Sequence, residues 1–454
     1  MTVSPRRWWL IPFALIALAS VVVRIWGCFT PLWFDEVFGL VHAEQMRRFT
    51  DVFFTQHDDN KHHLTALWLW WLGADAPFFL YRIPSLIAGL ALPPLVYFAA
   101  KPRHGALVAG LAAFFTLTSY QVLELSCEAR GYELAMAFAA GAWLACGKYL
   151  QRPNAWLAAA FTACCLFGFL AHLTFLYAYV GLVLWSAWEL PRPTWSAWRY
   201  RFLILHGPTV IGALWLYYAD LQYLYFIGGP SLTLYELFAG TVRDSFNVPR
   251  GWEDSLGIVV LALIAVGLIS IIRGRDRDWP LFVGVVLCVA WGINHRIREN
   301  FALRYIVLST PFLMVPLARN FEIAARLGPL RWAAMLAAMG FGIEGVWVGA
   351  TVFCRESPGY PEAIRFMADH SAIAPGVVDC GWDNYVNQLL VDYYCRRAGD
   401  RPAWPARPPA QWWVIQPLPD APQIRRAPQT YRWVATYPNR GFGEGWSLYE
   451  LEPR

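Results

Sequence analysis

Just after its first apolar stretch, the sequence places a high density of groups able to move protons or bind anions. PLWFDEVFG sets Asp35 beside Glu36, and QHDDNKHHL supplies His57, Asp58, Asp59, Asn60, Lys61, His62 and His63. A carboxylate of this kind can take a proton from a hydroxyl as general base. Lys61 is one of three lysines among 37 Lys and Arg residues, and the other two, Lys101 and Lys148, sit in different loops. A compact ammonium kept where the chain otherwise uses arginine suits a phosphate, which it meets as a point charge. Two later segments add to the set. LELSCEARGYELA brings Glu124, Glu128, Arg130 and Tyr132, and NHRIRENFALRY brings His295, Arg296, Arg298, Arg304 and Tyr305. Preorganised cations can stabilise the charge that develops on a departing phosphate. Plainer readings stand beside these: a solvated loop whose charges satisfy one another, a Glu128 to Arg130 pair worth little if exposed, headgroup anchoring by the arginines, and a satisfied interface histidine at His172.

These groups need a scaffold, and the composition says which kind. Of 454 residues, 57% are hydrophobic, 17% aromatic and only 15% charged, against about 25% charged in soluble domains. Disorder, fibrous repeats and a soluble enzyme are excluded. WWLIPFALIALASVVV and LGIVVLALIAVGLISII approach the roughly 20 apolar residues that a bilayer crossing requires. The expected fold is a polytopic α-helical membrane protein with about eleven transmembrane helices, near 8–26, 82–100, 105–120, 131–147, 155–172, 174–190, 201–220, 256–272, 279–293, 304–318 and 331–352. The formal charge of +5 is no nucleic-acid signal, because the basic residues are dispersed among short loops.

Loop charge gives sidedness. With Arg6 and Arg7 inside, the loops holding Lys101, Lys148, Arg199, Arg275 and Arg326 also fall inside, and 27–81, 121–130, 221–255 and 294–303 fall outside. LTALWLWWL at 64–72 is too short to span and reads as an interfacial or half-inserted helix. An odd span count leaves 353–454 outside as a small α/β domain: strand-like pieces at 377, 412, 431 and 447 alternate with helix-like stretches near 361–370 and 384–396. The domain division is therefore 1–352, the membrane catalytic part, and 353–454. Nine cysteines make no disulfide framework here, although one pair among Cys354, Cys380 and Cys395 could bridge in an oxidising compartment.

At LWFDE (32–36), DNKHHLTALWLWWLG (59–73), YRIPSLIAGL (81–90), SCEARGY (126–132), AHLTFLYA (171–178) and LRYIVLSTPFLMV (303–315), the chain resembles the GT-C superfamily of membrane glycosyltransferases. The branch it is most similar to is the glycosyltransferase 39-like one, with protein O-mannosyltransferases and aminoarabinose transferases. The resemblance implies a polyprenyl-phosphate-linked sugar donor, a hydroxyl acceptor on a glycan, lipid or protein, and an active site at the extracytoplasmic face, for instance of a bacterial inner membrane. It implies Asp35 as catalytic carboxylate, with Glu36 beside it, and Lys61 near the donor phosphate; the outside basic cluster of Arg296, Arg298 and Arg304 is expected to complete the phosphate group. His57, Asp58, Asp59, His62, Glu128, Arg130, Tyr132 and Tyr305 become substrate contacts, and an acceptor opposite the phosphate gives inversion. The sequence departs from the family where His62-His63 replaces two prolines, where Asn60 takes a position that can be acidic, and at Cys127. No cofactor is called for, and a divalent metal is possible. A lipid or sugar transporter, or a noncatalytic glycolipid-binding protein, is the alternative function.

Overall fold

The computed structural model describes residues 10–58, 60–190, 194–225, 232–296, 303–355, 358–371, 377–380, 385–399, 402, 410–415, 423–426, 429–437 and 446–452. Asp59, Arg298 and the side chain of Arg296 lie outside the described residues. In chain order the helices are α1 (Leu10–Gly27), α2 (Phe34–Glu44), α3 (Asp51–Phe54), α4 (His63–Leu72), α5 (Phe78–Thr118), α6 (Tyr120–Leu125), α7 (Tyr132–Gln151), α8 (Ala155–Ala171), α9 (Leu176–Glu189), α10 (Trp195–Ala219), α11 (Leu234–Phe246), α12 (Ile258–Arg273), α13 (Trp279–Arg296), α14 (Thr310–Arg326), α15 (Leu330–Arg355), α16 (Tyr360–Asp369) and α17 (Tyr385–Ala398). The strands are β1 (Val378–Asp379), β2 (Trp412–Ile415), β3 (Gln423–Arg426), β4 (Gln429–Tyr437) and β5 (Trp446–Leu451).

Each expected span overlaps a helix, although the one expected at 304–318 becomes α-helix only at Thr310, after two short 3-10 turns. The long α5 is two helices in one, because Gly105 breaks it with φ 80° and ψ 169°, a conformation only glycine adopts cheaply. Among the described residues, six helical stretches are long and apolar enough to cross a bilayer: Leu10–Gly27, Phe78–Thr118, Trp195–Tyr223, Glu253–Arg273, Leu303–Arg326 and Leu330–Cys354. Ala155–Ala171 and Trp279–His295 are shorter apolar helices. The protein is a multi-pass membrane protein, and α1 shows the physical pattern: Leu15, Leu18 and Val22 are exposed while Ser20 and Arg24 are buried. A soluble helix would be reversed; in lipid the outward face is the apolar one. The 64–72 segment is a ten-residue helix, α4, too short to span.

The chain forms two compact units. The first takes Met1–Cys28, Arg47–Trp68 and Arg82–Gly349. Its core pairs α7 with α8, α9 with α13 and α12 with α14. Trp143 anchors it, with Phe312 at 5.6 Å and Phe282 at 5.9 Å between ring centroids. Polar caps start the helices where apolar runs alone would not: Asn154 accepts from the Leu157 N–H at 2.9 Å to open α8, and Thr194 accepts from Ala197 at 3.2 Å to open α10.

The second unit takes Phe29–Met46, Leu69–Tyr81 and Ala350–Arg454. Its sheet has the order β1-β2-β5-β4-β3, with β1 and β2 parallel and the other pairs antiparallel. The expected strands and helices are all present, and β3 is additional. QIRR has no apolar alternation, so its strand exists through its ladder with β4. Trp446 donates to Asn387 at 2.9 Å and Trp412 to Ser371 at 2.7 Å, giving the two buried indoles the partners they need. Helix α17 holds pieces of the first loop: the Tyr394 hydroxyl donates to the Leu32 carbonyl at 2.5 Å, and Arg397 donates to the Ala74 and Ala76 carbonyls at 3.0 and 2.9 Å. No disulfide occurs among the described residues; Cys354 is exposed, and Cys380 and Cys395 are buried.

Candidate active site

In the first unit, the 57–63 segment folds around a residue about 160 positions away. Helix α10 ends at Ala219, and the next side chain, Asp220, is wholly buried. Its carboxylate accepts from Lys61 Nζ at 2.6 Å and His57 Nδ1 at 2.7 Å on one oxygen, and from His63 Nε2 at 2.7 Å on the other. Lys61 also donates to the Gln56 carbonyl. The chain after Asp220 turns back onto the same segment, where the Tyr225 N–H donates to the His57 carbonyl at 2.8 Å. A buried carboxylate without such partners would be costly, so one Asp220 side chain dictates where three donors stand.

Burial pulls the Lys61 ammonium below the usual lysine range, while Asp220 and, further off, Asp58 act to hold it charged. His63 is also pulled down by burial against the pull of Asp220, so it serves as a neutral N–H donor. His57, its side chain 21% exposed, is the member of the group that solvent reaches.

A second group, of rings and guanidiniums, meets the same segment at Asn60 and His62. Arg130 donates to Asn60 Oδ1 at 2.6 Å and, through Nε, to His62 Nε2 at 3.3 Å, and its guanidinium lies 5.2 Å from the Tyr132 ring centroid. His62, Tyr132 and His172 pack together at centroid distances of 4.1 to 5.3 Å, and Tyr305 lies 6.1 Å from His172. Arg304 is close enough to act on both histidines by charge. The glycine in SCEARGY permits this packing: a Cβ at Gly131 would sit 1.9 Å from the Ala171 carbonyl oxygen and 3.0 Å from His62 Cβ. Within one unit the structure thus holds Lys61 and His57 on Asp220, and groups Arg130, Tyr132, Arg304 and Tyr305, from separate motifs, around the neighbouring His62 and His172. Asp58 and Glu128 are buried in the same unit.

Asp35 and Glu36 belong to the second unit, on the first turn of α2. Glu36 accepts the Trp33 backbone N–H at 3.2 Å, reaching back over the first turn of α2. Asp35 is buried, with 8% exposure.

Asp220, His57 and His63 have types suited to a divalent metal, but Lys61 donates to the oxygen that a cation would take, and among the described residues no group of three or more His, Cys, Asp or Glu has the required arrangement. Asp220 itself escaped the reading of the sequence. The signal was a lone carboxylate directly after the apolar run that ends at Ala219. His172, read as an interface residue, joins the aromatic group; its Nδ1 accepts from the Thr174 N–H at 3.0 Å.

No family model matches the chain, and no curated protein resembles it significantly in sequence. Solved structures do share its fold. ArnT from Cupriavidus metallidurans in the apo state matches with a TM-score of 0.56 at 14% identity, over 98% of both chains. The same ArnT bound to undecaprenyl phosphate matches with a TM-score of 0.52 at 14% identity, over 97% of this chain and 98% of that one. The archaeal oligosaccharyltransferase AglB from Archaeoglobus fulgidus, in complex with an inhibitory peptide and a dolichol-phosphate, matches with a TM-score of 0.52 at 12% identity, over 90% of this chain and 69% of that one. Both proteins belong to the GT-C superfamily, and this chain has the GT-C fold.

Proposed function

We propose that the protein is a membrane glycosyltransferase that moves a sugar from a polyprenyl-phosphate carrier to a hydroxyl acceptor at the extracytoplasmic face. One observation carries the reading: Arg130, with Arg304 near enough to act by charge, meets His62, Tyr132, His172 and Tyr305 in one unit, and Lys61 stands one residue before His62 on the same segment. The fold shared with ArnT and AglB, which have been captured with undecaprenyl phosphate and dolichol-phosphate, supports it.

Glycosyl transfer must activate an acceptor hydroxyl and stabilise both an oxocarbenium-like centre and a departing phosphate. The phosphate leaves without needing a proton, so electrostatic stabilisation of its growing charge dominates. Lys61 and the arginines, Arg296 and Arg298 included, supply that charge. Asp220 contributes by keeping Lys61 protonated in a buried place. Asp35 accepts the acceptor's proton, with Glu36 beside it. Glu128, His57, Asp58 and Asp59 are positioning or sugar contacts, and attack opposite the phosphate inverts the anomeric centre.

Asp35→Asn tests the assignment of the base. An amide of the same shape cannot take the proton, so turnover should fall by about 10²–10⁴-fold while donor affinity changes little. A loss of no more than about tenfold would move the role to another carboxylate.

A further inference from the structure

His62 is only 5% exposed, and one of its ring nitrogens is unspoken for. The Nε–H of Arg130 can only donate, and it points at His62 Nε2 from 3.3 Å. Nε2 is therefore the acceptor, and the ring proton of the neutral imidazole is on Nδ1. That Nδ1–H is buried and has no hydrogen-bond partner among the described residues. A buried donor left unpaired is costly, which points to a ligand atom as its partner. The ring cannot easily turn to find another, since Tyr132 and His172 pack against it at 5.3 and 4.8 Å.

We propose that His62 binds the donor by giving its Nδ1 hydrogen bond to a phosphate oxygen, as a neutral imidazole held in this tautomer by Arg130. The inference rests on the reading of this cluster as the phosphate site and adds a contact that the charges alone do not require. An anionic oxygen is the favoured acceptor because the groups facing His62 are Arg130, Arg304, His172 and His63. Burial, together with those same neighbours, holds the imidazole well below the usual histidine range. His62 therefore keeps its tautomer through the neutral range and hands over no proton in the reaction.

The two amide residues separate this contact from packing. Asn places an N–H where Nδ1 stands, and Gln places one where Nε2 stands. Affinity for undecaprenyl phosphate, measured on purified full-length protein in nanodiscs, should stay within about threefold of wild type in His62→Asn and weaken about tenfold or more in His62→Gln and His62→Phe. Inorganic phosphate used as a competitor should show the same ranking if the headgroup alone is read; a ranking confined to the lipid assigns the contact to the membrane-bound phosphate, and both outcomes uphold the proposal. Wild-type affinity in His62→Phe, or retention in Gln with loss in Asn, overturns it. Melting temperatures of the three variants identify any that fail to fold, and the Asn and Gln pair decides between them. If Lys61→Met also leaves affinity and turnover intact, the phosphate site itself is wrong; if Lys61→Met is impaired and His62→Phe is not, only the His62 contact falls.

Discussion

The charges around Asp278 and those around Asp220 both set carboxylates against histidine and a cationic side chain, but in different proportions. Near Asp278, His104 donates to its carboxylate at 3.0 Å and lies 3.8 Å from Asp276, while Arg103 and Arg277 reach Glu189 at 3.8 and 3.1 Å. Three carboxylates meet three bases drawn from the ends of α9 and α12 and from the break in α5. Arg103 also lies 3.9 Å from Asp278, so the pairs interlock across the three segments. Around Asp220, one carboxylate meets three donors. If Lys61 turns away toward a ligand, His57 and His63 still satisfy the carboxylate. Balanced sets clamp elements together, whereas a set with spare donors can release one of them, and that difference separates a structural cluster from a working one.

Lys61→Met should break the working cluster most severely. Loss of the ammonium removes charge opposite the leaving phosphate, and turnover with a synthetic polyprenyl-phosphate donor should fall by about 10²–10³-fold. The fold should tolerate the change, because two donors remain on Asp220; a protein that unfolds instead would make this cluster a clamp like the other.

Asp220→Asn should act through pH. The carboxylate favours the protonated form of Lys61, so its removal lowers the lysine pKa and leaves less ammonium at any alkaline pH. The alkaline limb of kcat/KM should move down by about one pH unit or more, a roughly tenfold loss on that limb, while Asp220→Glu keeps the limb near its original place. An unmoved limb in Asp220→Asn would mean that Lys61 does not depend on this partner.

Asp278→Asn should do the reverse. It weakens a buried ion-paired group and should cost roughly 1–3 kcal/mol of stability, read as a lower melting temperature. Per-molecule kinetics should be unchanged, and any shift in kcat/KM beyond experimental error would erase the contrast between the two clusters.

Much of this was legible in the chain itself. Helix runs and their breaks follow from apolar length, and α4 was recognisable as non-spanning because ten residues rise only about 15 Å. Lys61 stood out by its rarity. Other elements were missed for stated reasons: β3 has no alternation, and α11 was taken as loop although Thr233 and Glu236 carry its capping box.

What composition and apolar length determined by themselves was the class of molecule, where its apolar helices lie and the residue types able to do chemistry, because hydrophobic length and charge are local properties. Tertiary structure decided which of those residues share a carboxylate. Asp220 is 159 residues from Lys61, and nothing local at either position specifies that their side chains meet at 2.6 Å. Only the packing of the first unit brings the end of α10 to the 57–63 segment and, through a glycine too small to clash with the end of α8, sets Arg130 against His62. Long-range contacts of this kind arise from how helices pack, and a linear pattern does not encode them in any one place.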